Sequence, residues 1–116
     1  MRKDVVWVGN SLEDLVEFPE EVQDEIGYAL YEAQLGLKPK NAKLLTEISG
    51  GVMEIVSDFD RNTYRAVYAV KIGDVIYVLH CFQKKSKHGI ATPKQELDLI
   101  KQRLKDAKHL EKERGE

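Results

Sequence analysis

The chain has 116 residues, one cysteine and a formal net charge of −2, a length that suits one domain whose core needs no disulfide or metal staple. The lone Cys81 excludes an intrachain disulfide framework and suits a reducing compartment. The charged start Arg2-Lys3-Asp4 carries no apolar leader, and the longest apolar run, Val75–Phe82, is broken by His80 and too short to span a bilayer. A cytoplasmic protein with no membrane partner is the expectation.

In chain order, Val5–Val8 (VVWV) reads as a short strand ended by Gly9-Asn10. Ser11-Leu12-Glu13-Asp14 then has the form of a capping box, with Ser11 at the cap and Asp14 reaching back. Leu12, Leu15 and Phe18 share one face of a short helix. Pro19 stops it and suits the first position of a second helix, where Glu20, Glu21 and Asp24 sit near the positive end of the dipole. Val22, Ile26, Ala29, Leu30 and Ala33 recur at helical spacing, and Gly36 is a natural cap. Lys38–Gly51, with Pro39, Asn41 and Gly50-Gly51, reads as a loop under which Leu44 and Leu45 tuck.

Val52–Ser57 (VMEIVS) reads as a second strand, with Met53, Ile55 and Ser57 on one side and Val52, Glu54 and Val56 on the other. After a turn at Asp58–Asn62 come a strand at Tyr64–Val70, a tight connection at Lys71–Asp74 and a strand at Val75–Gln83. This last strand is apolar on both faces, which marks it as covered on both sides. Lys84–Ala91 is a basic loop. Thr92 suits a helix cap and Pro93 the first helical position. Leu97, Ile100, Leu104 and Ala107 form the apolar stripe of the helix that follows, and the charged tail His109–Glu116 is expected to fray. The whole reads as one α+β domain over residues 1–116: a short strand and an αα-hairpin packed on a curved, mostly antiparallel sheet, with a C-terminal helix.

Charge is unevenly placed. Residues 1–37 hold nine acids against two bases, whereas residues 61–94 hold seven bases and one acid. One surface therefore attracts a polyanion and another repels it. Arg65 lies inside an apolar strand, and two readings of it stand: a cross-sheet partner of Glu54, or a ligand for phosphate through its planar fork of donors. Lys84, Lys85 and Lys87 repel one another, which eases loss of a proton, so one of them, or His88, can serve as general base or acid. In an extended chain Lys85 and Lys87 share a side, which places Lys85 ahead of Lys84 for direct contact. Arg61, Lys87 and Lys94 are the candidate backbone contacts. Tyr68 is three residues beyond Arg65 and faces the opposite side of a regular strand. His80 reads as a core histidine with a hydrogen-bond partner and Cys81 as a small core hydrophobe. Trp7, Tyr28, Tyr31 and Tyr77 read as core or partner-facing aromatics. No His, Cys or carboxylate spacing reads as a metal site, and no cofactor is implied.

Three segments, YRAVYAV, VIYVLHCFQKKSKHGIATP and KQELDLIKQRL, together resemble the HigB-like, phage-related branch of the RelE/ParE superfamily, toxins of bacterial type II toxin–antitoxin pairs. The resemblance covers almost the whole chain, and FQKKSK…TP is its most specific part. It implies a RelE-like fold and a metal-independent, ribosome-dependent endoribonuclease that cuts mRNA, with the ribose 2′-OH attacking the adjacent phosphate. It also implies a cognate helix-turn-helix antitoxin, with which the chain forms a hetero-oligomer. Fixed cations accelerate such a step, because the phosphorane-like transition state carries more charge than the ground state. Arg65, Lys84, Lys85 and His88 are the candidate catalytic groups. Some branches place a catalytic Tyr or His near the C-terminus; in the charged helix here only His109 is titratable near neutrality, and no such role is carried over to it. A ParE-like, non-enzymatic inhibitor of DNA gyrase on the same fold is the alternative.

Overall fold

The computed structural model describes residues 2–84 and 92–115. Its elements run β1 (Asp4–Trp7), α1 (Ser11–Leu15), α2 (Glu20–Gln34), β2 (Ala42–Leu44), β3 (Val52–Phe59), β4 (Asn62–Ala69), β5 (Val75–Lys84) and α3 (Lys94–Arg114). The strands form one five-stranded mixed sheet in the order β1-β5-β4-β3-β2. β2, β3, β4 and β5 pair antiparallel in succession, and β1 adds to β5 in parallel. This is an α+β architecture with a C-terminal helix, compatible with a RelE-like fold.

Alternation along the strands sorts side chains onto two faces, each with its own core. On one face Ile55, Tyr64, Ala66, Tyr68, Ile76, Val78 and Cys81 pack against Val22, Ile26, Ala29, Leu30 and Ala33 of α2. On the other, Val52, Val67, Ala69, Tyr77, Leu79 and Phe82 pack against Ile100, Leu104 and Ala107 of α3. β5 is buried along almost its whole length, as its two-sided apolar pattern suggests. The two faces of β3 fall as its sequence indicates, and Tyr68 lies in the α2 core, opposite Arg65.

Several local expectations give way to longer-range contacts. Ser11 does not cap α1. Asn10 occupies the cap position without a side-chain bond, and the buried Ser11 hydroxyl instead donates to the Val78 carbonyl oxygen of β5, 3.1 Å away. α2 starts one residue later than expected, with Pro19 as its cap. It ends as the sequence suggests: Gly36 has φ +83°, and its N–H and that of Leu37 donate to Ala33 and Glu32 carbonyl oxygens at 3.0 Å, the paired closure that a left-handed residue permits. The stretch expected to be loop contains β2, which pairs Ala42, Lys43 and Leu44 with Ile55, Glu54 and Met53. α3 begins at Lys94 with Pro93 as its cap, so the Thr92 hydroxyl is not spent on the helix. α3 runs to Arg114, so residues 109–114, whose charge suggests fraying, are helical; Glu111 there accepts from the Tyr77 hydroxyl at 2.8 Å.

Candidate active site

The register places four side chains on one face of the sheet. Arg65 lies opposite Val56 on β3 and Phe82 on β5, Glu54 opposite Val67, and Lys84 opposite Thr63. Directly opposed residues share a face, and so do residues two apart on a strand. Glu54, Arg65, Phe82 and Lys84 therefore point to the α3 side, at the end of the sheet where β5 stops. All three charged members are buried, with relative exposures of 0% for Glu54, 4% for Arg65 and 7% for Lys84.

Glu54 is the centre of this group. Its Oε1 accepts from Arg65 Nη1 at 2.7 Å and its Oε2 accepts from the Thr92 hydroxyl at 2.9 Å. Lys43 Nζ, on a half-exposed side chain of β2, lies 3.9 Å from Oε1. A buried carboxylate without such partners would be strongly disfavoured. The cross-sheet pairing of Arg65 with Glu54 is thus present, and it coexists with an electropositive surround. Lys84 feels both groups: burial lowers its pKa from the ordinary 10.5, Arg65 and Lys43 lower it further, and Glu54 opposes them. Arg65 Nε is buried without a hydrogen-bond partner among the described residues. An unmet buried donor is costly, and an anion oxygen reaching it would remove that cost. Beside the cluster a cleft of about 250 Å³ is lined by residues 43–47, Glu54 and Thr92.

A second polar group braces the same face. The chain gains one residue on β5 between the pairs Val67–His80 and Tyr68–Val78, a bulge that leaves Leu79 and His80 both near α3. Arg103 of α3 donates from Nη1 to the Leu79 carbonyl oxygen at 3.0 Å and lies 3.3 Å from His80 Nδ1. It also reaches Asn10 Oδ1 through Nη2. Glu96 Oε2 lies 3.3 Å from His80 Nε2. A neutral ring with its proton on Nε2 satisfies both neighbours, because Nδ1 then accepts from the guanidinium. Burial chiefly lowers the His80 pKa below 6.5, with Arg103 adding to the effect and Glu96 and Asp14 opposing it. His80 stacks on Phe82 at 5.0 Å between centroids and so abuts the neighbour of Arg65.

Of the residues the sequence singles out, Arg65 and Lys84 come together. Arg61 sits in the left-handed turn joining β3 to β4, with φ +67°, beyond Thr63 and so at the same end of the sheet as Lys84. Lys94 is highly exposed at the start of α3 and pairs with Asp98 at 3.1 Å. Lys85, Lys87 and His88 lie outside the described residues. Lys43 and Thr92 join the site without a sequence signal; nothing local in a loop-like segment or at an apparent helix cap points to a contact with Glu54. Among the described residues no His, Cys, Asp and Glu cluster could hold a metal ion, and no helix is long and apolar enough to cross a membrane.

The five-stranded mixed sheet with a C-terminal helix is compatible with a RelE-like fold. Residues 13–105 match the model of the family Phage derived protein Gp49-like (DUF891), and the chain belongs to that family, a RelE/toxin-like family of type II toxin–antitoxin systems. The toxin family implies an antitoxin partner. No curated protein and no solved structure matched the chain.

Proposed function

We infer that the protein is a HigB-like toxin that cuts mRNA on the ribosome without a metal ion. The observation that carries this reading is the buried meeting of Arg65 and Lys84 around Glu54 on one sheet face. In this reaction the 2′ oxygen bonds to phosphorus and the bond from phosphorus to the 5′ oxygen breaks. The products are a 2′,3′-cyclic phosphate and a free 5′-OH. Lys84, whose amine gives up its proton more readily than an ordinary lysine, takes the 2′-OH proton as general base. Arg65 stays charged throughout and opposes the charge that gathers on the non-bridging oxygens. The 5′ oxygen leaves with a proton, and Lys85 and His88 are the proposed donors. Arg61, Lys87 and Lys94 supply charge along the RNA backbone, a contribution that falls as salt rises.

The proposed partners are the ribosome with its mRNA and a helix-turn-helix antitoxin, and the proposed site of action is the cytoplasm. The test is to map transcript 5′ ends after brief induction and to repeat cleavage with purified ribosomes. New 5′-OH ends spaced with the reading frame are expected from the native chain, and none from Lys84→Met or Arg65→Lys. Equal toxicity of those variants would remove the assigned residues. Gyrase supercoiling is expected to be unaffected; its inhibition without RNA cleavage would transfer the chain to the non-enzymatic ParE-like class.

A further inference from the structure

We propose that Glu54 is a positioning residue: its two carboxylate oxygens hold the Arg65 guanidinium and the Thr92 hydroxyl in one arrangement, so that the cationic end of the sheet meets a phosphodiester already aligned. The proposal rests on the ribonuclease reading for its catalytic consequence and on the geometry alone for its structural one. Three observations support it. Glu54 has no exposed surface, so it does not reach substrate as a base. Each oxygen has a different partner, Arg65 at 2.7 Å and Thr92 at 2.9 Å, contributed by elements far apart in sequence. Thr92 is itself buried, at 5% exposure, and α3 takes its cap from Pro93, which leaves the threonine hydroxyl to serve the carboxylate.

The arrangement has a chemical logic. An arginine has five donors on a rigid plane. Holding Nη1 against one carboxylate oxygen at 2.7 Å restricts where the remaining donors aim, and misplacement of such a group by an ångström costs on the order of 10²-fold in rate. Glu54 also moderates its surroundings. Among the described residues, Lys84 faces Lys43 of β2, Glu54 of β3 and Arg65 of β4, and Glu54 alone of these favours the protonated amine. Without it, Lys84 would lose its proton at still lower pH.

The test uses the full chain with Glu54→Gln, Thr92→Val and Thr92→Ser, each measured below its own unfolding temperature. Gln keeps the shape and removes the charge; Val keeps the shape and removes the hydroxyl. On programmed ribosomes Glu54→Gln is expected to lower kcat by on the order of 10²-fold with KM within about twofold. Thr92→Val is expected to lose roughly tenfold and Thr92→Ser to recover the native rate, which an effect through bulk stability would not do. The pH–rate limb assigned to Lys84 moves to lower pH in Glu54→Gln and stays in place in Thr92→Val. Native-like kcat in Glu54→Gln would overturn the proposal.

Failure of the native chain to cut RNA would instead remove the ribonuclease reading. The proposal is then judged by nitrogen-detected NMR of arginine side chains. Slow rotation, with two resolved Arg65 Nη signals that merge in Glu54→Gln, supports it. Signals already averaged in the native chain, or unchanged in the variant, overturn it.

Discussion

Replacing Arg65 perturbs the fold as well as the chemistry, because the partner it leaves behind is a carboxylate with no exposed surface. Arg65→Ala is expected to cost about 3–5 kcal/mol in urea unfolding, the usual penalty for orphaning one member of a buried pair. Arg65→Lys keeps the charge, loses the fork and separates the two effects. Lys84 carries the pH signature. A lysine that holds its proton less tightly in the fold than in the unfolded chain weakens the fold at neutral pH, and that cost fades as pH rises toward 10.5. Activity that needs the neutral amine should therefore rise with pH along a limb below the ordinary lysine range. In Lys84→Arg, whose guanidinium does not titrate, a cleavage rate followed from pH 6 to about 10 should show no such limb. The Arg65–Glu54 pairing is legible in the sequence as one of two readings, since strand alternation limits which residues of neighbouring strands can share a face. The part played by Thr92 is not. Local reasoning gives its hydroxyl oxygen to the first N–H groups of a helix, as an acceptor, whereas the hydroxyl proton goes to a buried acid 38 positions away in sequence.

At the scale of elements, the same competition explains Ser11, whose hydroxyl goes to Val78 of β5 rather than to its own helix. β2 escapes a reading by pattern because three residues paired along one edge leave too little alternation to detect. At the joint between α3 and β5, burial and Arg103 disfavour the protonated form of His80, with Glu96 and Asp14 opposing them. The folded pKa of His80 lies below 6.5, so as pH falls through 6.5 the unfolded chain takes up a proton that the folded chain refuses, and stability declines until the folded pKa is passed. Thermal melts at pH 7.5 and pH 5 should differ more for the native chain than for His80→Gln, which cannot titrate. Gly9 belongs to this joint as well: it has φ +59°, and an added Cβ would sit 2.8 Å from Arg103 Nε. Gly9→Ala is thus expected to displace the guanidinium from Asn10 and Leu79 and lower stability by about 1 kcal/mol or more, readable in the same melts.

Over the whole molecule, the parallel pairing of β1 with β5 is invisible to local patterns, since nothing within either strand names its neighbour. The polarity of the surface is visible to them, because charge runs survive folding. The helix α2 carries five acids and no base, and it leaves Tyr28 and Tyr31 exposed, their rings 6.4 Å apart. Glu25, Tyr28, Glu32, Lys40 and Asn41 line a recess of about 380 Å³ beside it. This face lies across the sheet from Arg65 and Lys84, so the acidic helix and the basic end are separate candidate contacts for the antitoxin. A basic side chain entering the recess would meet the carboxylates of Glu25 and Glu32, only partly offset by Lys40, and the side chain of Tyr28, a net balance that favours a cation. If the antitoxin docks here, neutralisation does not require filling the catalytic end. Glu25→Lys combined with Tyr28→Ala is then expected to weaken antitoxin binding at least tenfold by calorimetry, about 1.4 kcal/mol. The same variant should keep its toxicity, because neither residue lies near the Arg65 face. Retained binding in that variant, together with protection of Arg65 and Lys84 from solvent in the native complex, would move the antitoxin to the basic end.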